Sequence, residues 1–333
     1  MRTNLLQKIV AVHKPAAPVL VLVLLALLVF VETRVNFSDE VYKFGEETCS
    51  PMVLDPRKIE YHSGHRFYAE LKQIWPLPAP QLREHHAKLC SKKGRLQAKY
   101  EYCLPISGRK DSPFCTAPDR MNLLNVDAKS ICYASVLHML MVDVYQELQA
   151  TGNTPFLAFG SLLGAVRNGS MIPFTEDADI GYVKELARVE KGRLALRRKG
   201  YHMFFMGIWR VCVAPTHPLA GRLYDPMLPK TESFAVPYVD LYKMKETSSG
   251  AWDLEELEGS NGRILPADKV QPFSQVTING MAFDTVKDPK FFLTEAYGDD
   301  YMVPQPRNES QGSEAVTKHP QSAMFRLRTQ IGI

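Results

Sequence analysis

The chain has 333 residues, of which 45% are apolar, 23% charged and 10% aromatic. That is an ordinary globular balance, and it excludes long disorder, collagen and coiled coil as the main architecture. The formal net charge is +4, yet residues 126–333 carry 22 basic side chains against 24 acidic ones; a nucleic-acid binder needs a basic footprint there, so no nucleic-acid partner is expected.

Residues 1–14 hold Arg2, Lys8 and Lys14 and no acid, and read as a cytosolic tail. Residues 15–31 carry no charge and would span about 26 Å as a helix, a length suited to the thinner membranes of the early secretory pathway. The positive flank places the N-terminus in the cytosol and the rest in the lumen. The exit Leu28-Val29-Phe30-Val31-Glu32 lacks a small-residue cleavage site, so the segment reads as an uncleaved signal anchor rather than a signal peptide. The expectation is a single-pass type II protein of the Golgi or ER membrane.

Residues 32–125 are rich in proline, weakly periodic and hold Cys49, Cys90, Cys103 and Cys115. They read as a loop-rich lumenal stem or cap. All six cysteines follow the anchor, and an even lumenal count suits disulfides. Their pairing is open from sequence, and Cys132 and Cys212, in apolar surroundings, equally fit free core thiols. Sequons stand at Asn36, Asn168 and Asn308.

From residue 126 the pattern changes. Ile131, Val136, Leu137, Leu140, Met141, Val144 and Leu148 recur at helical spacing, predicting a helix over 127–150 stopped by Gly152. A strand over 156–159 ends in Gly160-Ser161, and a helical turn follows, closed by Gly169. EDADIGYV (176–183) alternates as a strand. A surface helix over 184–199, strands over 201–205, 208–213 and 235–243, and a helix over 288–297 complete an α/β (α+β) domain, 126–333, with a mixed sheet flanked by helices.

The densest chemistry lies in FGSLLGAVRNGSMIPFTEDADIGYV, residues 159–183. Asp177 and Asp179 are two apart on a strand, so they share a face. Paired carboxylates there repel unless a cation joins them, and hard divalent ions take oxygen ligands while bridging to phosphates. Gly160-Ser161 at a strand-to-helix turn offers bare N–H groups and a hydroxyl to a phosphate. Asp240, between Val239 and Leu241 in another apolar strand, is the candidate third carboxylate. Arg167 is a candidate phosphate clamp, with a helix-end role as the alternative. Trp209, Arg210 and Lys243 stand near strand ends, where a donor contact is open to them, with core packing the stronger reading for Trp209 and surface solvation for Lys243; His138 reads as core, and Tyr297 and Tyr301 as a structural clasp.

This arrangement resembles the nucleotidyltransferase superfamily and, more narrowly, the LicD/fukutin-type phosphotransferases. Their pattern, roughly G-[TS]-L-L-G-x-x-R-x-x-x-x-I-P-x-x-x-D-x-D-[IVL], is met by Gly160, Ser161, Leu162, Leu163, Gly164, Arg167, Ile172, Pro173, Asp177, Asp179 and Ile180. Asp240-Leu241 is similar to the family's later aspartate strand, and Leu293, Tyr297, Gly298, Tyr301 and Pro304 to its closing element. Phe174, Thr175 and Asn168 depart from common family choices. The departure at Asn168 puts a sequon inside the motif, and a glycan beside the phosphate turn would obstruct it, so that sequon is expected to be unused.

The resemblance implies a nucleotidyltransferase-like fold and transfer of a phospho-alcohol, such as a polyol phosphate or phosphocholine, from a CDP-linked donor to a glycan hydroxyl. Asp177, Asp179 and Asp240 would hold Mg2+ or Mn2+ and carry the catalysis, and Gly160, Ser161 and Arg167 would hold the donor phosphates. Two rival functions stand beside it: a Golgi glycosyltransferase with an Asp-x-Asp metal site, which does not require the Gly-Ser turn, and a non-catalytic glycan-binding scaffold that keeps the fold.

Overall fold

The computed structural model describes residues 48–91, 99–111, 113–125, 131–228 and 236–304. The main elements in chain order are α1 (Arg66–Gln73), α2 (Tyr133–Ala150), β1 (Pro155–Leu157), α3 (Phe159–Asn168), β2 (Asp177–Val183), α4 (Val189–Arg198), β3 (Tyr201–Met206), β4 (Ile208–Val213), β5 (Tyr238–Glu246), β6 (Trp252–Leu254), β7 (Ile264–Leu265), β8 (Ser274–Ile278), β9 (Met281–Thr285) and α5 (Pro289–Tyr297). The nine strands form one mixed sheet in the order β8-β9-β1-β2-β5-β4-β3, with β6 added to β5 and β7 to β6. β9 with β1 and β2 with β5 are parallel pairs; the other neighbours are antiparallel. A separate two-residue ladder joins Thr48–Cys49 to Leu82–Arg83.

The core sits between this sheet and α2. That helix is apolar on most faces, and such a helix is stable only when covered all round. Fifteen of its residues are buried, and it packs over β2 and β5. Its two buried carboxylates are answered. Asp143 accepts from the hydroxyls of Tyr68 and Tyr201. Glu147 lies 2.6 Å from Lys199 Nζ and 2.9 Å from His62 Nε2. Phe67, Tyr68 and Leu71 of α1 enter the same core, as do Leu104, Leu123 and Leu124, all from the segment expected as a stem or cap.

All six cysteines pair, as Cys49–Cys90, Cys103–Cys212 and Cys115–Cys132. Cys132 and Cys212, for which free thiols were the alternative, are therefore disulfide-bonded. Cys103–Cys212 ties the proline-rich segment to β4, and Cys115–Cys132 ties it to the start of α2.

The predicted helices and strands after residue 126 are present with shifted ends. One boundary matters: Phe159, read as the end of a strand, instead opens α3 with φ +39°. Gly169 closes that helix in the left-handed region at φ +62°, where a Cβ is penalised. The hairpin β8–β9 was not predicted. Its turn is Asn279-Gly280, both at positive φ, the preferred chemistry for a two-residue hairpin loop. No helix among the described residues is long and apolar enough to cross a membrane. The expected anchor over 15–31, the tail before it and the sequons at Asn36 and Asn308 lie outside the described residues.

Candidate active site

Alternation along β2 sends Ala178, Ile180 and Tyr182 to one sheet face, where they are buried in the core, and Asp177 and Asp179 to the other. β5 runs parallel beside it in a register that sets Asp177 by Tyr238, Asp179 by Asp240 and Gly181 by Tyr242. Same-face neighbours across a ladder meet. Each of Asp177, Asp179 and Asp240 accordingly offers a carboxylate oxygen within 4.8 Å of the other two, and all three are buried.

Hydroxyls and one guanidinium hold this cluster. Tyr238 Oη donates to Asp177 Oδ2 at 3.3 Å. Tyr242 Oη lies within hydrogen-bond distance of both Asp179 Oδ1, at 3.3 Å, and Asp240 Oδ2, at 3.1 Å. β4 sets Arg210 opposite Asp240, with Nε 2.7 Å from Oδ1. Burial, and then the charges of Asp177 and Asp240, push the Asp179 carboxyl well above the usual carboxylate range. Burial also pushes Asp240 up to about 7, against the opposing pull of Arg210. Tyr238, Tyr242 and Tyr297 are pushed upward mainly by burial, so they are neutral donors at physiological pH. Three buried carboxylates sharing one guanidinium fit a divalent cation on charge and donor type alike, since hard cations take oxygen ligands.

Gly160 and Ser161 meet the cluster from α3. They lie in its first turn, behind the N-cap Ala158. The Ser161 N–H donates to Asp179 Oδ2 at 3.3 Å, and the Asp179 N–H donates to Ser161 Oγ at 2.8 Å. This reciprocal pair fastens the helix N-terminus to β2. A Cβ at Gly160 would stand 2.9 Å from Asp179 Oδ2, so glycine there admits the carboxylate. The N–H groups of Phe159 and Gly160 have no acceptor inside the helix, and they face the side on which an anion is favoured. Ser161's hydroxyl oxygen accepts from β2, which fixes the side chain against that strand.

Arg167 is not brought to this cluster. Its Nη2 donates to the carbonyl of Tyr301 and, at 3.4 Å, to that of Val303, which is the helix-end role. Asn168 is exposed at the far end of α3, about 12 Å along the helix axis from Gly160. A glycan there would not crowd the phosphate turn, and that reason for expecting an unused sequon falls away. His138 is buried, accepts from the Arg120 N–H and is lowered to about 4 by burial, as fits a core histidine.

Several groups at the site escape sequence reasoning. Tyr238 and Tyr242 were legible in principle, since Tyr-Val-Asp-Leu-Tyr places both tyrosines on the face of Asp240. Arg210 was read as a possible donor contact rather than as the partner of Asp240, because that pairing depends on the β4–β5 register. Glu256 enters from the turn after β6 at φ +60°; its Oε2 is buried without a hydrogen-bond partner among the described residues, and burial raises its carboxyl beside Arg210. Lys110, from the cap, lies 2.9 Å from Glu176 Oε1.

Residues 152–285 match the family model described as LicD/FKTN/FKRP, nucleotidyltransferase domain. The match contains Gly160, Ser161, Asp177, Asp179, Arg210 and Asp240, and begins after Lys110 and α2. No curated protein sequence gives a significant match to the chain.

Proposed function

Since residues 152–285 form a LicD/fukutin-type nucleotidyltransferase domain, we propose that the protein is a metal-dependent phosphotransferase acting on glycans of the secretory pathway. It moves a phospho-alcohol, a polyol phosphate or phosphocholine-like group, from a CDP-linked donor to a glycan hydroxyl. The observation that carries this reading is the convergence of Asp177, Asp179 and Asp240 within 4.8 Å beside the N-terminus of α3.

Asp177, Asp179 and Asp240 would hold Mg2+ or Mn2+, which when bound would neutralise charge on the donor diphosphate. The Phe159 and Gly160 N–H groups receive phosphate oxygens. Ser161 acts as the brace that keeps those groups aimed, through its pair of bonds with Asp179. Tyr242 orients Asp179 and Asp240 together. Asp240, held near neutrality by burial, also suits acceptance of the proton from the attacking hydroxyl, with Arg210 steadying the carboxylate. The family match speaks against the glycosyltransferase alternative.

Three disulfides support an oxidising compartment, and the uncharged run over 15–31 supports a Golgi or ER signal anchor with the domain in the lumen. Protection of the domain from protease in intact microsomes tests that topology, and digestion from outside would overturn it. The activity is tested by incubating the purified protein with a panel of nucleotide-linked alcohols and Mg2+ or Mn2+, and following release of CMP. Release that stops in Asp177→Asn and Asp179→Asn supports the assignment. Absence of release from every donor, with glycan binding retained, makes the scaffold reading the better one.

A further inference from the structure

The active face is acidic, and the two arginines that sequence reading set near it are already committed. Arg210 is paired with Asp240 and Arg167 with two backbone carbonyls. Three ionised aspartates more than offset one divalent cation, so a bound diphosphate calls for a further cation. Gly108 runs so close to the start of α2 that a Cβ on it would stand 3.0 Å from the Tyr133 backbone. The Arg109 N–H donates to the Ile131 carbonyl at 2.8 Å and the Tyr133 N–H to the Arg109 carbonyl at 2.9 Å. Cys103–Cys212 anchors this segment from one side and Cys115–Cys132 from the other. The next residue, Lys110, is thereby delivered with Nζ 4.4 Å from the centre of the Tyr133 ring and 2.9 Å from Glu176, the neighbour of Asp177.

Tyr133 supplies the second observation. Its side chain is buried to 2% exposure, and its hydroxyl has no hydrogen-bond partner among the described residues. Its ring lies under the Lys110 ammonium that pairs with Glu176, the residue before Asp177. A buried hydroxyl without a partner is costly unless something arrives to accept from it. Lys110, by contrast, is part-exposed, as is Glu176, so its ammonium is free to exchange one anion for another.

We propose that Lys110 and the Tyr133 hydroxyl form a phosphate-binding wall of the active site, supplied from outside residues 152–285, that receives the diphosphate of the nucleotide-linked donor. This rests on the phosphotransferase reading. Lys110 provides charge and Tyr133 provides a neutral donor, and both engage the diphosphate rather than the base or sugar.

The test is calorimetric titration of the full-length protein with CDP and Mg2+, with cytidine as the control. Lys110→Met is expected to weaken CDP binding roughly ten- to hundredfold, the scale of one charge-assisted hydrogen bond, and to leave cytidine binding unchanged. Lys110→Arg is expected to restore CDP binding to within about threefold. Tyr133→Phe is expected to weaken CDP binding about threefold to tenfold at an unchanged melting temperature, because the hydroxyl has no bond to lose among the described residues. Wild-type CDP affinity in both Lys110→Met and Tyr133→Phe would overturn the wall while leaving the phosphotransferase reading intact. A wild-type protein that binds no CDP with Mg2+ or Mn2+ would overturn that reading, and the wall with it.

Discussion

Replacing Asp179 with Asn should make the metal-free protein more stable and the metal-dependent protein inert. At 4.8 Å and an effective dielectric of about 20, each pair of ionised carboxylates repels by about 3.5 kcal/mol. Three ionised aspartates would then cost about 10 kcal/mol, comparable with the whole stability of a domain. The metal-free cluster must therefore retain a proton, and Asp179, raised by burial and by both neighbours, is the group best placed to keep it. A carboxyl raised on folding stabilises least at high pH. Its contribution is intact below the unfolded value near 3.8 and is lost as pH climbs through the raised folded value. Asn keeps the shape, accepts from Ser161 N–H or Tyr242, and carries no charge. In chelator at pH 8 the variant should gain about 1–3 kcal/mol, the scale of one ill-solvated buried group. That gain is read as a melting temperature higher by roughly 2–10 °C. The difference should shrink at pH 5, where wild type is already protonated. Mg2+ or Mn2+ should raise the melting temperature of wild type and leave the variant unmoved. A variant that melts below wild type at pH 8, or a gain independent of pH, would refute the electrostatic account.

Gly160→Ala places a methyl 2.9 Å from Asp179 Oδ2 while improving helix propensity by up to about 1 kcal/mol; turnover should fall by about tenfold or more with the melting temperature held or raised, measured by CMP release and thermal melting. Arg167→Met removes the bonds to the Tyr301 and Val303 carbonyls and should lower stability by about 1–3 kcal/mol while leaving the donor KM unchanged; a KM effect without a stability effect would return Arg167 to the donor site. Replacing Cys103 and Cys212 together with Ser opens a link across 109 residues of sequence and should cost about 2–5 kcal/mol in denaturant melts; an unchanged midpoint would show that the core alone fixes the cap.

The aspartate face was legible because a strand has a period of two and needs no tertiary knowledge. Asp177 and Asp179 had to share a side, and Asp240 stood out as an acid inside an apolar strand. Their meeting was a matter of register, and the parallel β2–β5 pairing that achieves it joins strands far apart in sequence. Arg167 was misplaced for the same reason. Its spacing from Gly160 put it on the same helix, but about two full turns on it lies at the opposite end, where the chain after α5 returns to meet it. Asn279-Gly280 was a readable turn signal that went unread, with Val276 and Phe283 alternating on either side. The disulfide map and the arrival of Lys110 beside Glu176 were not legible at all, since each depends on how the proline-rich segment folds back over α2.

The alignment of Asp179 with Asp240 sits within a seven-residue parallel ladder from Asp177 opposite Tyr238 to Val183 opposite Met244. This sorts insertions and deletions in the gene into two kinds. One codon lost between positions 177 and 179 turns the remaining aspartate to the core side or drags every residue after it out of frame with β5, whereas a codon added to the turn Thr247–Gly250, beyond the ladder, is absorbed without touching it. Variation in length among descendants of this sequence should therefore collect in the turns, with the spacing of the two aspartates in β2 kept as a fixed unit of heredity.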